Sequence, residues 1–364
     1  MEYRRLPRGN EKISVIGLGL SSLGASGEEE TEKTVETAVE RGVNYFDMAS
    51  SDREPFYVYG RVLSGIRDKV FYQIHFGALY NTGKYAWSLK LDEIKRSVDW
   101  QLEALKTDYT DFGFIHCIDE EEDLERAEKE GTLKYMMELK EKGVIRHLGL
   151  STHTPSIGNR VLDMGIIDMM MFSINPAYDY RHGEYAIGSV SERAELYRRC
   201  QAEKVGISVM KAFGGGQLLN RKTSPFGREL SRYQCLQYAL DKPAVITAVP
   251  GVRNRRDLEE LLGFFEATPQ ERDYSLISQL APEDTEGRCV YCNHCQPCPA
   301  GLDIGLINKY YDLARAGDIL AADHYSNLGK KASDCVKCGH CDRRCPFHVK
   351  QSERMEEIKG YFGK

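Results

Sequence analysis

Residues 91–106, LDEIKRSVDWQLEALK, followed by residues 107–116, TDYTDFGFIH, decide the fold. In the first segment Ile94, Val98, Leu102 and Leu105 recur at helical spacing, the mark of an amphipathic helix. The second is a short apolar run, Asp111–His116, which reads as a buried strand closed by an ionisable residue. The same unit recurs on both sides. Further strands are expected at Val15–Leu20, Val43–Phe46, Val70–His75, His147–Ser151, Met169–Ile174, Gly206–Lys211 and Val245–Val249, with helical patterns between them. Eight β–α pairs in about 250 residues favour a (β/α)8 TIM barrel over an open doubly wound sheet, although periodicity alone does not show closure. Ahead of them, Tyr3–Leu6 and Lys12–Val15 read as a short hairpin turning through Arg8-Gly9-Asn10.

The 364 residues suit one large and one small unit. A net charge of −6 gives no basic face for nucleic acid. No apolar stretch of about 18 residues predicts a membrane span, and the opening MEYRRLPRGNEK lacks a signal-peptide core, so a cytoplasmic protein is expected. Of 11 cysteines, all but Cys117, Cys200 and Cys235 crowd between Cys289 and Cys345. In a reducing compartment such crowding predicts metal binding rather than disulfides. It also marks a boundary near Pro282, giving a barrel over residues 1–281 and a second domain over 282–364.

In a barrel of this kind the chemistry sits at the C-terminal ends of the strands. Those ends carry Asp47, His75, His116, and Ser151 with His153. Asn175, Lys211 and the Pro250-Gly251 turn follow. One polar rim residue is commonplace, but ionisable groups ending three consecutive strands predict a functional cluster.

Several stretches together resemble the aldo-keto reductase family. They are Asn44-Tyr45-Phe46-Asp47, Arg67-Asp68-Lys69-Val70, Thr107-Asp108-Tyr109-Thr110-Asp111 running to His116, Gly149-Leu150-Ser151, and Val249-Pro250-Gly251 with Arg253. Order and spacing fit over residues 3–265. With its cysteine-rich tail the chain is similar to the bacterial and archaeal subgroup that ends in a 4Fe–4S domain. The resemblance implies NADP(H) at the barrel mouth and hydride exchange with a carbonyl carbon. It implies a tyrosine as proton donor, tuned by a lysine, an aspartate and a histidine. Asp47 and His116 match two of these four. Asp52 stands at the tyrosine position and His75 at the lysine position, while Gly60 and Leu63 keep the frame.

A phenol titrates near pH 10 and a nearby ammonium eases its proton transfer, whereas Asp52 is ordinarily ionised and cannot donate. A second carboxylate in the pocket can raise one carboxyl pKa, and His75 or His116 suits acid–base work near neutrality. Tyr57, Tyr59, Tyr80, Tyr85 and Tyr178 could each supply a substitute phenol, among 21 tyrosines. Asp47, Asp52, His75 and His116 are therefore the candidate catalytic set, with a divalent-metal site as the alternative use of the same ligands. For the cofactor, Ser151 matches the carboxamide-binding serine. Asn175 and Lys211 end neighbouring strands, and the Gly251-Val252-Arg253-Asn254-Arg255 turn opens a helix suited to phosphate. Leu261 stands where the family has its adenine-binding asparagine, and Thr152 replaces the asparagine after the serine.

The tail reads Cys289-x2-Cys292-x2-Cys295-x2-Cys298-Pro299, then Cys335-x2-Cys338-x2-Cys341-x3-Cys345-Pro346. In two-cluster ferredoxins three close thiolates hold one cluster and the fourth cysteine crosses to the other. That predicts two 4Fe–4S clusters: Cys289, Cys292 and Cys295 with Cys345, and Cys335, Cys338 and Cys341 with Cys298. A pair of zinc sites is the alternative. Between the runs Ile304–Ala314 reads as helix, so the tail is an α-helical ferredoxin-like domain packed on other parts of the chain.

Together these readings lead to an oxidoreductase acting on a small carbonyl, alcohol or unsaturated substrate, with a ferredoxin or flavodoxin as electron partner. The alternatives are a lyase or isomerase with structural clusters, and a non-catalytic electron carrier.

Overall fold

The computed structural model describes residues 1–363 except 81–82, 184, 275–276, 278–286 and 316–320. The expected boundary at 281/282 lies outside the described residues. Eight parallel strands run in chain order: β1 (Leu18–Gly19), β2 (Tyr45–Asp47), β3 (Phe71–Phe76), β4 (Thr110–Ile115), β5 (Ile145–Thr152), β6 (Met169–Ser173), β7 (Gly206–Met210) and β8 (Val245–Ala248). Each pairs with its sequence neighbours. The ring closes where Ile16 bridges to Ala248: the Gly17 N–H donates to Ala248 O at 2.8 Å and the Ala248 N–H to Val15 O at 2.9 Å. Closure settles the choice between barrel and open sheet.

The interior is filled by large side chains. Tyr45, Phe112, Phe114, Met169 and Met171 point inward and pack with Leu6 and Ile13 of the Tyr3–Arg5/Lys12–Ser14 hairpin. That hairpin seals the N-terminal end, where Arg4 donates to Leu240 O and Val245 O at 2.8 and 2.7 Å. Gly149 makes room for Phe114, since a Cβ there would meet its ring at 2.2 Å. With the bottom closed, solvent and substrate can reach the strand ends only from the other side.

The cysteine-rich tail adds helices Ile304–Arg315, His340–Arg344 and Gln351–Phe362 around a small core of Cys295, Ile304, Ile307, Tyr311, Met355 and Ile358. It docks on the flank of the barrel. Cys345, Phe347 and Val349 belong to the barrel's own hydrophobic cluster, and Phe347 stacks on Tyr180 at 5.9 Å. Burying Phe347 to 2% exposure contributes about 1.5–3 kcal/mol. Arg198 of the barrel donates to the Tyr291 hydroxyl, which donates in turn to Asp312. Among the described residues no helix is long and apolar enough to cross a membrane.

Candidate active site and iron–sulfur ligands

Asp47, the last residue of β2, lies beside Gln73 in the β2–β3 register. The Gln73 amide donates to Asp47 Oδ1 at 2.7 Å, and Tyr45 donates to the same amide's oxygen. Two residues further along β3, His75 Nε2 meets Asp47 Oδ1 at 2.6 Å. His75 Nδ1 then lies 2.9 Å from His116 Nδ1, just beyond β4. Finally His116 Nε2 lies 3.1 Å from the Tyr85 hydroxyl. Four side chains from three strand ends and a loop thus form one continuous hydrogen-bonded line.

The charges fix its polarity. Burial, and then the neighbouring His75, hold His116 well below the ordinary imidazole value, so it is neutral at pH 7. A carboxylate accepts from an imidazole N–H, so the tautomer of His75 that donates Nε2–H to Asp47 keeps a lone pair on Nδ1. His116 therefore donates through Nδ1 and accepts through Nε2, leaving the Tyr85 O–H as donor at the outer end. One anion sets every tautomer in the line.

Tyr85 is delivered by an element that the sequence hides. After β3, Gly77 takes φ +110 and starts a tiny hairpin, Ala78–Leu79 against Ala86–Trp87. A Cβ at Gly77 would stand 3.2 Å from Ser88 O, and that backbone conformation is strained for other residues. The Tyr85 N–H donates to Ser51 O and Trp87 Nε1 to His116 O, which fixes the loop over the mouth. Tyr85 remains 42% exposed, so its hydroxyl is within reach of a bound molecule. Burial, with a smaller contribution from Cys117, pushes its phenol up to about 12.

The other candidate phenols have structural places. Tyr80 is buried and accepts the Ser50 N–H; Tyr59 is buried against Phe46; Tyr57 packs edge-on to Trp100. The Tyr178 N–H donates to the Asn175 side chain in the cap of a short helix. Asp52 lies outside the Asp47–Tyr85 line. Its carboxylate accepts from the Ser51 hydroxyl and the Glu54 N–H, and its backbone bridges to Lys84.

The nucleotide candidates divide in two. Ser151 is buried at the end of β5, and its hydroxyl has no hydrogen bond among the described residues, so it fits a carboxamide. Asn175 spends its amide on Tyr178 N and Lys211 O, and Lys211 lies over the Tyr185 ring. At the Gly251–Arg255 turn the phosphate donors are already engaged. Arg253 grips Asp257, the Arg255 N–H donates to Glu30 at 2.8 Å, and Asn254 caps the helix. This end fits a phosphate only once Glu30 and Asp257 withdraw.

The eight tail cysteines fall into two neighbourhoods. Cys289, Cys292, Cys295 and Cys345 lie within electrostatic range of one another beside the barrel. Cys298, Cys335, Cys338 and Cys341 line a single cavity further out. A tetrahedral zinc ion would draw its sulfurs to about 3.8 Å apart. Among the described residues, the one group of three metal-capable donors within 4.8 Å is Cys117, Asp119 and His153, and no tail cysteines form another. Beside the inner set lies Lys242, buried at 6% exposure and within electrostatic range of Cys289 and Cys292. Lys242→Met should lower that cluster's reduction potential by on the order of tens of millivolts, because the reduced cluster loses a compensating charge. Redox-poised spectroscopy of the loaded full chain reads this, and an unchanged or raised potential refutes it.

Comparison with known proteins agrees with this architecture. Residues 15–232 match the aldo/keto reductase family and residues 287–349 the 4Fe-4S dicluster domain. The chain is 27% identical over 284 residues to the uncharacterized oxidoreductase YqkF of Bacillus subtilis, covering 71% of this chain and 90% of that protein. It is 28% identical over 187 residues to L-galactose dehydrogenase of Arabidopsis thaliana, covering 47% and 56% respectively. The solved holo form of aldo-keto reductase AKR11C1 from Bacillus halodurans superposes with a TM-score of 0.63 at 25% identity, over 78% of this chain and 97% of the other. By its closed barrel and its sequence match, this chain belongs to the aldo/keto reductase family and carries a C-terminal 4Fe-4S dicluster domain.

Proposed function

We propose that the barrel mouth interconverts a small carbonyl compound and its alcohol, with Tyr85 exchanging the proton at the substrate oxygen. The observation that carries this reading is the unbroken Asp47–His75–His116–Tyr85 line. In the direction of alcohol oxidation the substrate proton enters at Tyr85. The phenol proton passes to His116 Nε2, that of His116 Nδ1 to His75, and that of His75 Nε2 to Asp47. The reverse sequence delivers a proton to a forming alkoxide, as general acid catalysis requires. In this reading His116 and His75 take over the work of the missing lysine, and Tyr85 that of the missing tyrosine.

A nicotinamide nucleotide, when bound, would supply the hydride. Ser151 would hold its carboxamide, and Arg253 and Arg255 its phosphates. The cysteine-bound clusters, when loaded, would supply single electrons from a ferredoxin- or flavodoxin-like partner. Because Glu30 occupies a phosphate donor, NADPH should bind weakly, and Glu30→Ala should tighten it by about tenfold, the effect of roughly 1.4 kcal/mol. Calorimetry checks this: equal affinity in both proteins overturns the assignment of that turn. The reading as a whole is tested by turnover of small carbonyls and alcohols by the cluster-loaded chain, with nicotinamide nucleotides and with reduced one-electron carriers. No turnover in any combination would refute it.

A further inference from the structure

Beside the proton line lies a second polar group that it does not use. Cys117 follows His116, Asp119 lies two residues on, and His153 follows the end of β5. Cys117 Sγ is 3.7 Å from Asp119 Oδ2, and His153 Nδ1 is 2.9 Å from the same oxygen. Sulfur, oxygen and nitrogen all lie within 4.8 Å of one another. Two donors thus aim their protons at one carboxylate oxygen, an arrangement in which a cation can replace both protons.

Three further observations point the same way. Cys117 holds φ +53, a left-handed conformation that strains a non-glycine residue, and its thiol lies alongside Asp119. His153 is 5% exposed, and its buried ring is held with Nδ1 turned to Asp119. The ring is held against Tyr185 at 4.4 Å, and the other Asp119 oxygen is fixed by the Thr152 hydroxyl and the His153 N–H. The donors are therefore pre-placed.

We propose that Cys117, Asp119 and His153 form a binding site for a divalent transition-metal ion of the zinc class, separate from the iron–sulfur cysteines. Thiolate, carboxylate and imidazole are the ligand types of zinc sites, and three protein ligands leave a fourth tetrahedral position for water or a substrate oxygen. Zinc bonds of about 2.0–2.3 Å set donor separations of about 3.3–3.8 Å, so the present distances need shifts of only tenths of an ångström between the contacting pairs. As the ion binds, the thiol proton leaves to solvent and the imidazole proton moves from Nδ1 to Nε2, so affinity rises with pH.

The site does not rest on the proton line, and its test reads binding rather than turnover. The full chain with both clusters loaded is titrated with Zn2+ against a chromophoric chelator, and with Co2+ followed by its ligand-field absorption. The expected result is one zinc per chain, a tetrahedral cobalt spectrum, and unchanged iron. Cys117→Ser and His153→Gln should each weaken zinc by more than about 100-fold, beyond what loss of an outer partner causes. Both variants should keep the iron content and circular dichroism of the parent, which separates ligand loss from misfolding. Zinc failing to bind the loaded parent overturns the proposal. So does a Cys117→Ser or His153→Gln protein that keeps the parental affinity.

Discussion

Tyr85→Phe is expected to lower kcat and kcat/KM together by about 10²–10⁴-fold, the range supplied by a positioned general acid or base. Phenylalanine keeps the ring and its contacts with Tyr80 and His116, so the loop should hold its place. What disappears is the one O–H that links the buried line to the mouth. The proton is in flight only in the transition state, so KM should change little. Asp47→Asn gives a complementary result. The amide keeps the shape but can donate, so His75 and His116 lose their enforced tautomers and the rate falls again. By contrast, Asp52→Asn should leave the rate near the parental value, because Asp52 serves the turn before its helix. If Tyr85→Phe turns over normally while Asp52→Asn is inactive, the assignment must be reversed. Steady-state kinetics on any accepted substrate decides the matter.

The second large effect concerns the crossing of the cysteines. Cys345→Ser is expected to cut iron from about eight to about four per chain and to lower thermal stability markedly, whereas Cys298→Ser should remove about as much iron with little loss of stability. The asymmetry follows from location. Cys345 and Phe347 lie in the barrel's hydrophobic cluster, while Cys298 borders the small outer core. Losing the inner ligand therefore frees a segment whose buried side chains help to close the flank of the barrel. Iron analysis with melting curves checks both halves. Equal destabilisation by the two substitutions would show that the tail does not share the barrel's stability.

Much of this was legible in the sequence because buried parallel strands are written as short apolar runs. The expected Met169–Ile174 and Gly206–Lys211 match β6 and β7 to within a residue, and Leu91–Lys106 overruns its helix by two. The first strand was read too long: Val15–Leu20 shrinks to Leu18–Gly19, since Ile16 makes only the isolated bridge that closes the ring. Asp47, His75 and His116 could be read because they end strands. Tyr85 could not be singled out among the candidate phenols. Its hairpin strands are two residues each, too short for any periodicity, and only Gly77 hints at the reversal. Asp119 gave no signal either, because its partners Thr152 and His153 lie 33 and 34 residues away in chain order.

The docking of Phe347 and Val349 into the barrel's core has a consequence for supply. A ribosome finishes the barrel before it makes the last cysteines, so the newborn barrel waits with an apolar flank uncovered. Seating of that cover is expected to need iron and sulfide in the tail, because the cysteines that flank it are the cluster ligands. Scarcity of iron should then appear as less barrel surviving in the cell, and not simply as barrel without clusters.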